Sequence, residues 1–272
     1  MAWNRTVSLL LMLACSQGLV AQVSAQGPVA IRVDASARQG PWKPIWTYFG
    51  YDEPNYTYTP NGRKLISELS ALSSTTVWIR THHLLCTGDG TPALKWGSTN
   101  AYTEDPSGRP VYDWAIVNKI FDTYEQARAK PFVEIGFMSE ALSLKPEPYT
   151  RHWPVPGDGT GWSYPPNDYH KWADLVSQWV QHLIDRYGKS EVESWYWEVW
   201  NEPDISYWRG TPDEYDKLYD YAALAVKRVL PAARVGGPAS TGPANPRAAA
   251  FLQQFLERGV TGSVKLVTGS LC

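Results

Sequence analysis

Trp200-Asn201-Glu202-Pro203 puts a carboxylate, an amide and a backbone lock at the end of a run of alternating residues, Ser194 to Trp200 (SWYWEVW). A Glu that first gives and then takes a proton needs a carboxyl with a raised pKa, and aromatic surroundings raise it by removing water. Asn201 offers a ligand hydroxyl both a donor and an acceptor, and Pro203 ends the strand and fixes the local backbone. Strand alternation explains Trp195 to Trp200 without any function, but not the three residues that follow. A Glu held by a local salt bridge is the alternative for an isolated Asn-Glu-Pro. The place of Glu202 just past a strand end favours proton transfer, because barrel enzymes carry their reactive groups there. Other chemistries lack a pattern. The five His residues have no zinc-ligand spacing, no Gly-rich phosphate loop follows a strand, and no Ser or Cys nucleophile motif is present, so no metal or cofactor is expected.

The elements that must position Glu202 are legible as βα units. Short apolar strands alternate with longer helical patterns from Trp46 onward, which predicts a parallel sheet. Strands are expected at Ile45 to Tyr51, Thr76 to Thr81, Pro131 to Phe137, Ser194 to Trp200 and Arg234 to Gly237. Helices are expected from about Gly62 to Leu72, Tyr112 to Lys130, Asp168 to Tyr187, Thr211 to Leu230 and Pro246 to Arg258. The third of these is the clearest: Trp172, Leu175, Val176, Trp179, Val180, Leu183 and Ile184 form one apolar stripe, and Gly188 stops it. Thr211 is the expected N-cap of the next helix, with Pro212 at its first position. Two long loops, Leu84 to Val111 and Met138 to Asn167, both follow strands and therefore belong on the C-terminal face. The fold class is α/β, a (β/α)8 TIM barrel truncated after about five βα units.

Composition sets the boundaries. The 25 basic and 27 acidic residues give a net charge of −2 with no basic block, which argues against a nucleic-acid partner. Fourteen Trp and sixteen Tyr suit either sugar stacking or core filling, and composition leaves both open. Arg5, the apolar run Val7 to Ala14 and the small residues Val23-Ser24-Ala25 predict a signal peptide over residues 1–25, with 26–272 as an incomplete catalytic domain. That predicts a secreted or periplasmic protein with no membrane attachment after cleavage, since the run is too short to span a bilayer. Cys86 and Cys272 then remain, too few for a disulfide framework.

The motif at the fourth strand end resembles the acid/base signature of the clan A glycosidases. More specifically, the chain resembles glycoside hydrolase family 39, whose members include β-xylosidases and α-L-iduronidases. Ile79-Arg80-Thr81-His82, Pro131 to Met138 (PFVEIGFM), Asp168-Tyr169 with Lys171-Trp172, Arg186-Tyr187-Gly188, Trp197 to Pro203 and Val235 to Pro238 resemble family blocks, in the family's order. The resemblance implies a retaining mechanism on an oligosaccharide or glycoside, with Glu202 as general acid and then general base. It implies that Asn201 bonds the 2-hydroxyl of the sugar at the −1 subsite, and that His82 lies in the same subsite.

The resemblance also implies a second carboxylate at the end of a seventh strand, beyond this chain. Glu134 lies inside the third strand and matches a family residue that is not the nucleophile, and Glu140 lies in a loop. A β-xylosidase is the leading expectation. Another clan A specificity, such as a glucosidase or an iduronidase-like enzyme, and an inactive carbohydrate-binding fragment are the alternatives. Asp52-Glu53, at the end of the first strand, stands on the correct face to shape the pocket, with a solvated acidic turn as the favoured reading, and Trp96, Trp153, Trp162 and Trp208 are candidate stacking platforms.

Overall fold

The structure is a computed structural model that describes residues 30–37, 40–41, 43–92, 97–149, 161–242 and 244–261. The expected signal peptide at 1–25, Cys272, Trp96 and Trp153 lie outside the described residues. The chain divides into two units, 1–43 and 44–272. The described part of the first carries one turn, in which Asp34 Oδ1 accepts from the Ser36 N–H and hydroxyl.

The second unit is an all-parallel five-stranded sheet: β1 (Tyr48–Tyr51), β2 (Trp78–Thr81), β5 (Lys130–Ile135), β6 (Tyr196–Val199) and β7 (Arg234–Gly236). A separate antiparallel hairpin is formed by β3 (Tyr102–Glu104) and β4 (Pro110–Tyr112). Each parallel strand pairs with the next one in the chain, so the sheet grows in one direction and never reverses. That is the order of a barrel rather than of a doubly wound sheet.

Period-two alternation gives the sheet two different faces. Ile79, Thr81, Val133, Ile135, Trp197, Val199 and Val235 are buried. They lie on the side of α2 (Ala115–Ala127) and α3 (Tyr169–Tyr187), where Trp179 meets Trp197 edge to face at 6.1 Å and Thr81 Oγ1 bonds the Tyr124 hydroxyl. The other face is layered. Tyr48, Trp78, Phe132 and Tyr196 form an aromatic layer, with Trp78 and Tyr196 4.6 Å apart and Phe132 and Tyr196 5.5 Å apart. Two residues further along the same strands come Arg80, Glu134 and Glu198, and the register sets Glu134 beside Glu198. One strand period thus separates an apolar layer from a charged one.

The helices follow their sequence cues. In α3 every residue of the expected stripe is buried except Ile184, which is half-buried. Asp168 caps its start by accepting from His170 N and Lys171 N, and it ends at Gly188, whose φ of 86° favours glycine. In α5 (Pro212–Val229), Thr211 and Glu214 form a capping box and Pro212 opens the helix. The remaining helices are α1 (Pro60–Leu72), the short α4 (Lys189–Glu193) and α6 (Pro246–Thr261).

Most strands and helices shift by one to three residues at an end, and the larger departures from expectation are these. Ile45–Thr47 is a 3-10 turn rather than strand, because Thr47 Oγ1 bonds back to the Pro44 carbonyl. Helix α2 is shorter than Tyr112 to Lys130 at both ends. Tyr112 is held in the hairpin, Arg128 turns left-handed at φ 57°, and the Lys130 N–H is drawn to the Val77 carbonyl. The loop from Leu84 to Val111 contains the hairpin, turned by Asp105, whose Oδ1 collects the N–H groups of Ser107 and Arg109. Lys171 on α3 anchors it through Glu104 Oε1 and the Gly108 carbonyl.

Candidate active site

The two loops after β2 and β5 are tied together at their roots. Leu85 N donates to the Gly136 carbonyl, and Ser139 Oγ donates to the Leu85 carbonyl at 2.6 Å. The ends of the second loop meet in antiparallel bridges, Met138 with Trp162 and Ser143 with Pro166. These contacts place the end of β2 beside the end of β5, and β5 lies beside β6.

At the end of β6 the backbone leaves the sheet through two left-handed residues that are not glycine, Trp200 at φ 70° and Glu202 at φ 48°. Such conformations cost about 1–3 kcal/mol each and persist only where the surroundings enforce them. The enforcing contacts are specific. Trp200 is fully buried, its ring stacks on Phe137 at 4.6 Å, and its Nε1 donates to the Tyr207 carbonyl. The Glu202 N–H donates to the Ala239 carbonyl at 2.8 Å. Asp204, also buried, accepts from the Thr241 N–H and hydroxyl at 2.9 and 2.6 Å. The loop after β7 therefore holds the loop that carries Glu202.

Arg80 on β2 is the centre of the cluster. Its Nε donates to Glu198 Oε2 at 2.5 Å, and its Nη2 lies 3.0 Å from Asn201 Oδ1 and 3.1 Å from Glu134 Oε2. Its Nη1 contacts His82 Nε2. A guanidinium has only donors, so the Asn201 atom that faces it is the amide oxygen and the His82 Nε2 in this contact is the unprotonated acceptor. His82 Nδ1 then faces Asp52 Oδ1 at 3.2 Å. The structure thus brings Glu202, Asn201 and His82 to one end of the sheet, and adds Arg80, Glu134, Glu198 and Asp52. The reading of Asp52 as a solvated turn is corrected by its contact with His82. Trp162 and Trp208 are buried, with Nε1 bonded to the carbonyls of Pro146 and Thr211, so neither presents a face for stacking.

Arg80 and Glu198 were both visible as sequence. Arg80 sits two residues after Trp78 and Glu198 two after Tyr196, so each shares a sheet face with its aromatic neighbour. A charge repeated at that position on three strands, Arg80, Glu134 and Glu198, is the signal that would have found them.

The electrostatics follow from burial. Removal of water pushes the Glu134 carboxyl up to about 8, with Arg80 partly offsetting that and Glu198, Asp52 and Glu202 adding to it. Burial also raises Glu198, against the pull of Arg80. For Arg80, burial works against the charge, but Glu134 and Glu198 outweigh it and hold the guanidinium above its ordinary range. At neutral pH Glu134 is therefore largely protonated, beside the Arg80–Glu198 contact at 2.5 Å. Cys86 is buried nearby, with its thiol pushed far up by burial. Among the described residues, no group of three or more His, Cys, Asp or Glu side chains is arranged to hold a metal, and no helix is long and apolar enough to cross a membrane.

Glu134 makes stability depend on pH. Its carboxyl titrates near 4.5 when unfolded and near 8 when folded, so the folded chain keeps a proton that the unfolded chain releases. The contribution is fully present below the unfolded value and is lost as pH rises toward 8. Thermal unfolding at about pH 5 and about pH 8 measures the slope. Glu134→Gln, neutral throughout, is expected to flatten it, and an unchanged slope in that variant would contradict the assignment.

A sheet wound in one direction, with carboxylates and an Asn gathered at its C-terminal strand ends, defines an α/β protein of the (β/α)8-barrel type. The profile of Glyco_hydro_39, glycosyl hydrolases family 39, matches residues 29–267, and the chain belongs to that family. It is 40% identical over 158 residues to a beta-xylosidase of Geobacillus stearothermophilus, covering 57% of this chain and 30% of that protein. It is 33% identical over 101 residues to an alpha-L-iduronidase of Drosophila melanogaster, covering 37% of this chain and 13% of that protein. Among solved structures it is similar to a monomeric beta-xylosidase from Caulobacter crescentus CB15, with a TM-score of 0.61 at 29% identity over 78% of this chain and 39% of that one. The chain thus spans well under half the length of these relatives.

Proposed function

We propose that this chain forms part of a retaining glycoside hydrolase that cleaves β-xylosidic bonds in xylo-oligosaccharides, with Glu202 as the general acid/base. The observation that carries the reading is the placement of Glu202 past the C-terminal end of β6, in a left-handed conformation tied to the loop after β7. As the acid it protonates the leaving oxygen, and as the base it takes a proton from the water that releases the sugar. Asn201, its Oδ1 occupied by Arg80, offers Nδ2 to the 2-hydroxyl of the sugar at the −1 subsite. His82 borders the same sugar, with its ring nitrogens facing Asp52 and Arg80.

The second carboxylate of a retaining pair lies about 5 Å from the first. In this reading it comes from a strand outside the five described. Glu134 does not suit the role, because its carboxyl is protonated at neutral pH and a nucleophile must be ionised. The chemistry needs two carboxyl groups and a water, with no cofactor.

The likeness to the Geobacillus beta-xylosidase supports the xyloside specificity. The likeness to the Drosophila alpha-L-iduronidase supports a second reading, an iduronidase-like specificity on the same scaffold. A panel of 4-nitrophenyl glycosides, assayed with the full-length protein, separates them. Nitrophenol release from the β-xyloside ahead of the β-glucoside and α-L-iduronide is expected. Preference for the iduronide would replace the first reading with the second.

A further inference from the structure

Glu198 has no place in the acid/base chemistry, yet its Oε2 accepts from Arg80 Nε at 2.5 Å, and only 14% of its side chain is exposed. The Arg80 guanidinium has donors on three nitrogens, and each is engaged: Nε by Glu198, Nη1 by His82, and Nη2 by Asn201 and Glu134. Because the guanidinium is planar and rigid, fixing Nε fixes the direction of both Nη groups. Its orientation decides where Nη2 points, and Nη2 decides which way the Asn201 amide faces.

We propose that Glu198 is a positioning residue for recognition of the sugar 2-hydroxyl: through Arg80 it locks the Asn201 amide with oxygen inward and Nδ2 toward the ligand. The chain of contacts is Glu198 Oε2, Arg80 Nε, Arg80 Nη2 and Asn201 Oδ1. Asn201 is 6% exposed, so a flipped amide would set its NH2 against a buried cation and lose the acceptor that Nη2 uses. Without Glu198 the guanidinium keeps its contacts to His82, Asn201 and Glu134 but loses the acceptor that fixes Nε. The Asn201 amide then samples both orientations, and only one of them reads a hydroxyl. The pocket consequently discriminates for a sugar bearing a hydroxyl at C2, and Glu198 sustains that discrimination without touching the ligand. This rests on the reading of Asn201 as donor to the 2-hydroxyl.

The test uses the full-length protein and two substrates, 4-nitrophenyl β-xyloside and its 2-deoxy counterpart. Asn201→Ala examines the underlying reading and is expected to lower kcat/KM for the hydroxylated substrate at least about tenfold while the 2-deoxy substrate changes little. Glu198→Met removes the acceptor at similar volume and is expected to give the same selective loss, about tenfold. Combining it with Asn201→Ala should add little, since both act on one contact. Glu198→Gln keeps an acceptor for Nε and is expected to retain more selectivity than Glu198→Met. If Glu198→Met does not fold, Glu198→Gln carries the test, with a smaller but still selective loss expected. Equal losses on both substrates in the Glu198 variants, with Asn201→Ala selective, would overturn the positioning role and leave the Asn201 reading intact. A non-selective Asn201→Ala would overturn both.

Discussion

Glu202→Ala is expected to lower hydrolysis of unactivated xylo-oligosaccharides by about 10³- to 10⁴-fold, the scale of a lost general acid/base. Aryl xylosides with acidic phenols should behave differently. Such a leaving group departs without protonation, so the first step survives, while the second step lacks the base that activates water. The glycosyl intermediate then accumulates, kcat falls and KM falls with it, and kcat/KM changes little. Added azide, an anion that needs no base, is expected to restore turnover. Steady-state kinetics with a series of leaving groups measures all of this. Equal loss on every substrate, without rescue by azide, would exclude Glu202 as the acid/base.

The second large effect is expected at Arg80. Arg80→Met leaves Glu198 without its cation in a site almost closed to water, and a buried charge stripped of its partner costs about 3–5 kcal/mol. Arg80→Lys should recover little, because a single ammonium cannot serve Glu198, His82 and Asn201 from three nitrogens. Removing the orphaned charge as well, in Arg80→Met combined with Glu198→Gln, is expected to restore part of the stability. Urea unfolding of the three variants measures these differences. Arg80→Met at parental stability, or a double variant weaker than the single one, would contradict the ion-pair account.

The parts of the fold legible in the sequence are those where local chemistry and tertiary packing agree. Helix α3 shows its buried stripe at helical spacing and carries Asp168 and Gly188 at its ends, so periodicity and caps give one answer. Thr211, Pro212 and Glu214 do the same for α5. The hairpin of β3 and β4 was hidden inside a long loop, because its strands are three residues each and depend on Lys171 of a distant helix. The start of β1 is not legible in the sequence, because Ile45 and Trp46 are strand-type residues whereas the Thr47 hydroxyl bond to Pro44 closes a turn there.

The candidate site divides along a similar line. Glu202 and Asn201 stand in a compact motif, which four adjacent residues reveal. Arg80, Glu134 and Glu198 come from three strands, and their meeting depends on register, which one strand's sequence does not contain. Asp52 joins them only because β1 lies beside β2. Trp162 and Trp208 were open to a stacking role on composition, but their Nε1 groups find backbone carbonyls and the rings fill space under the loops.

The central claim is that Glu202 is the acid/base, and the anomeric configuration of the azide product tests it most directly. With Glu202→Ala, azide attacks a glycosyl intermediate already formed on the opposite face, so NMR should show the β-xylosyl azide. An α-xylosyl azide would mean that azide had taken the place of the missing carboxylate itself, making Glu202 the nucleophile and contradicting the account.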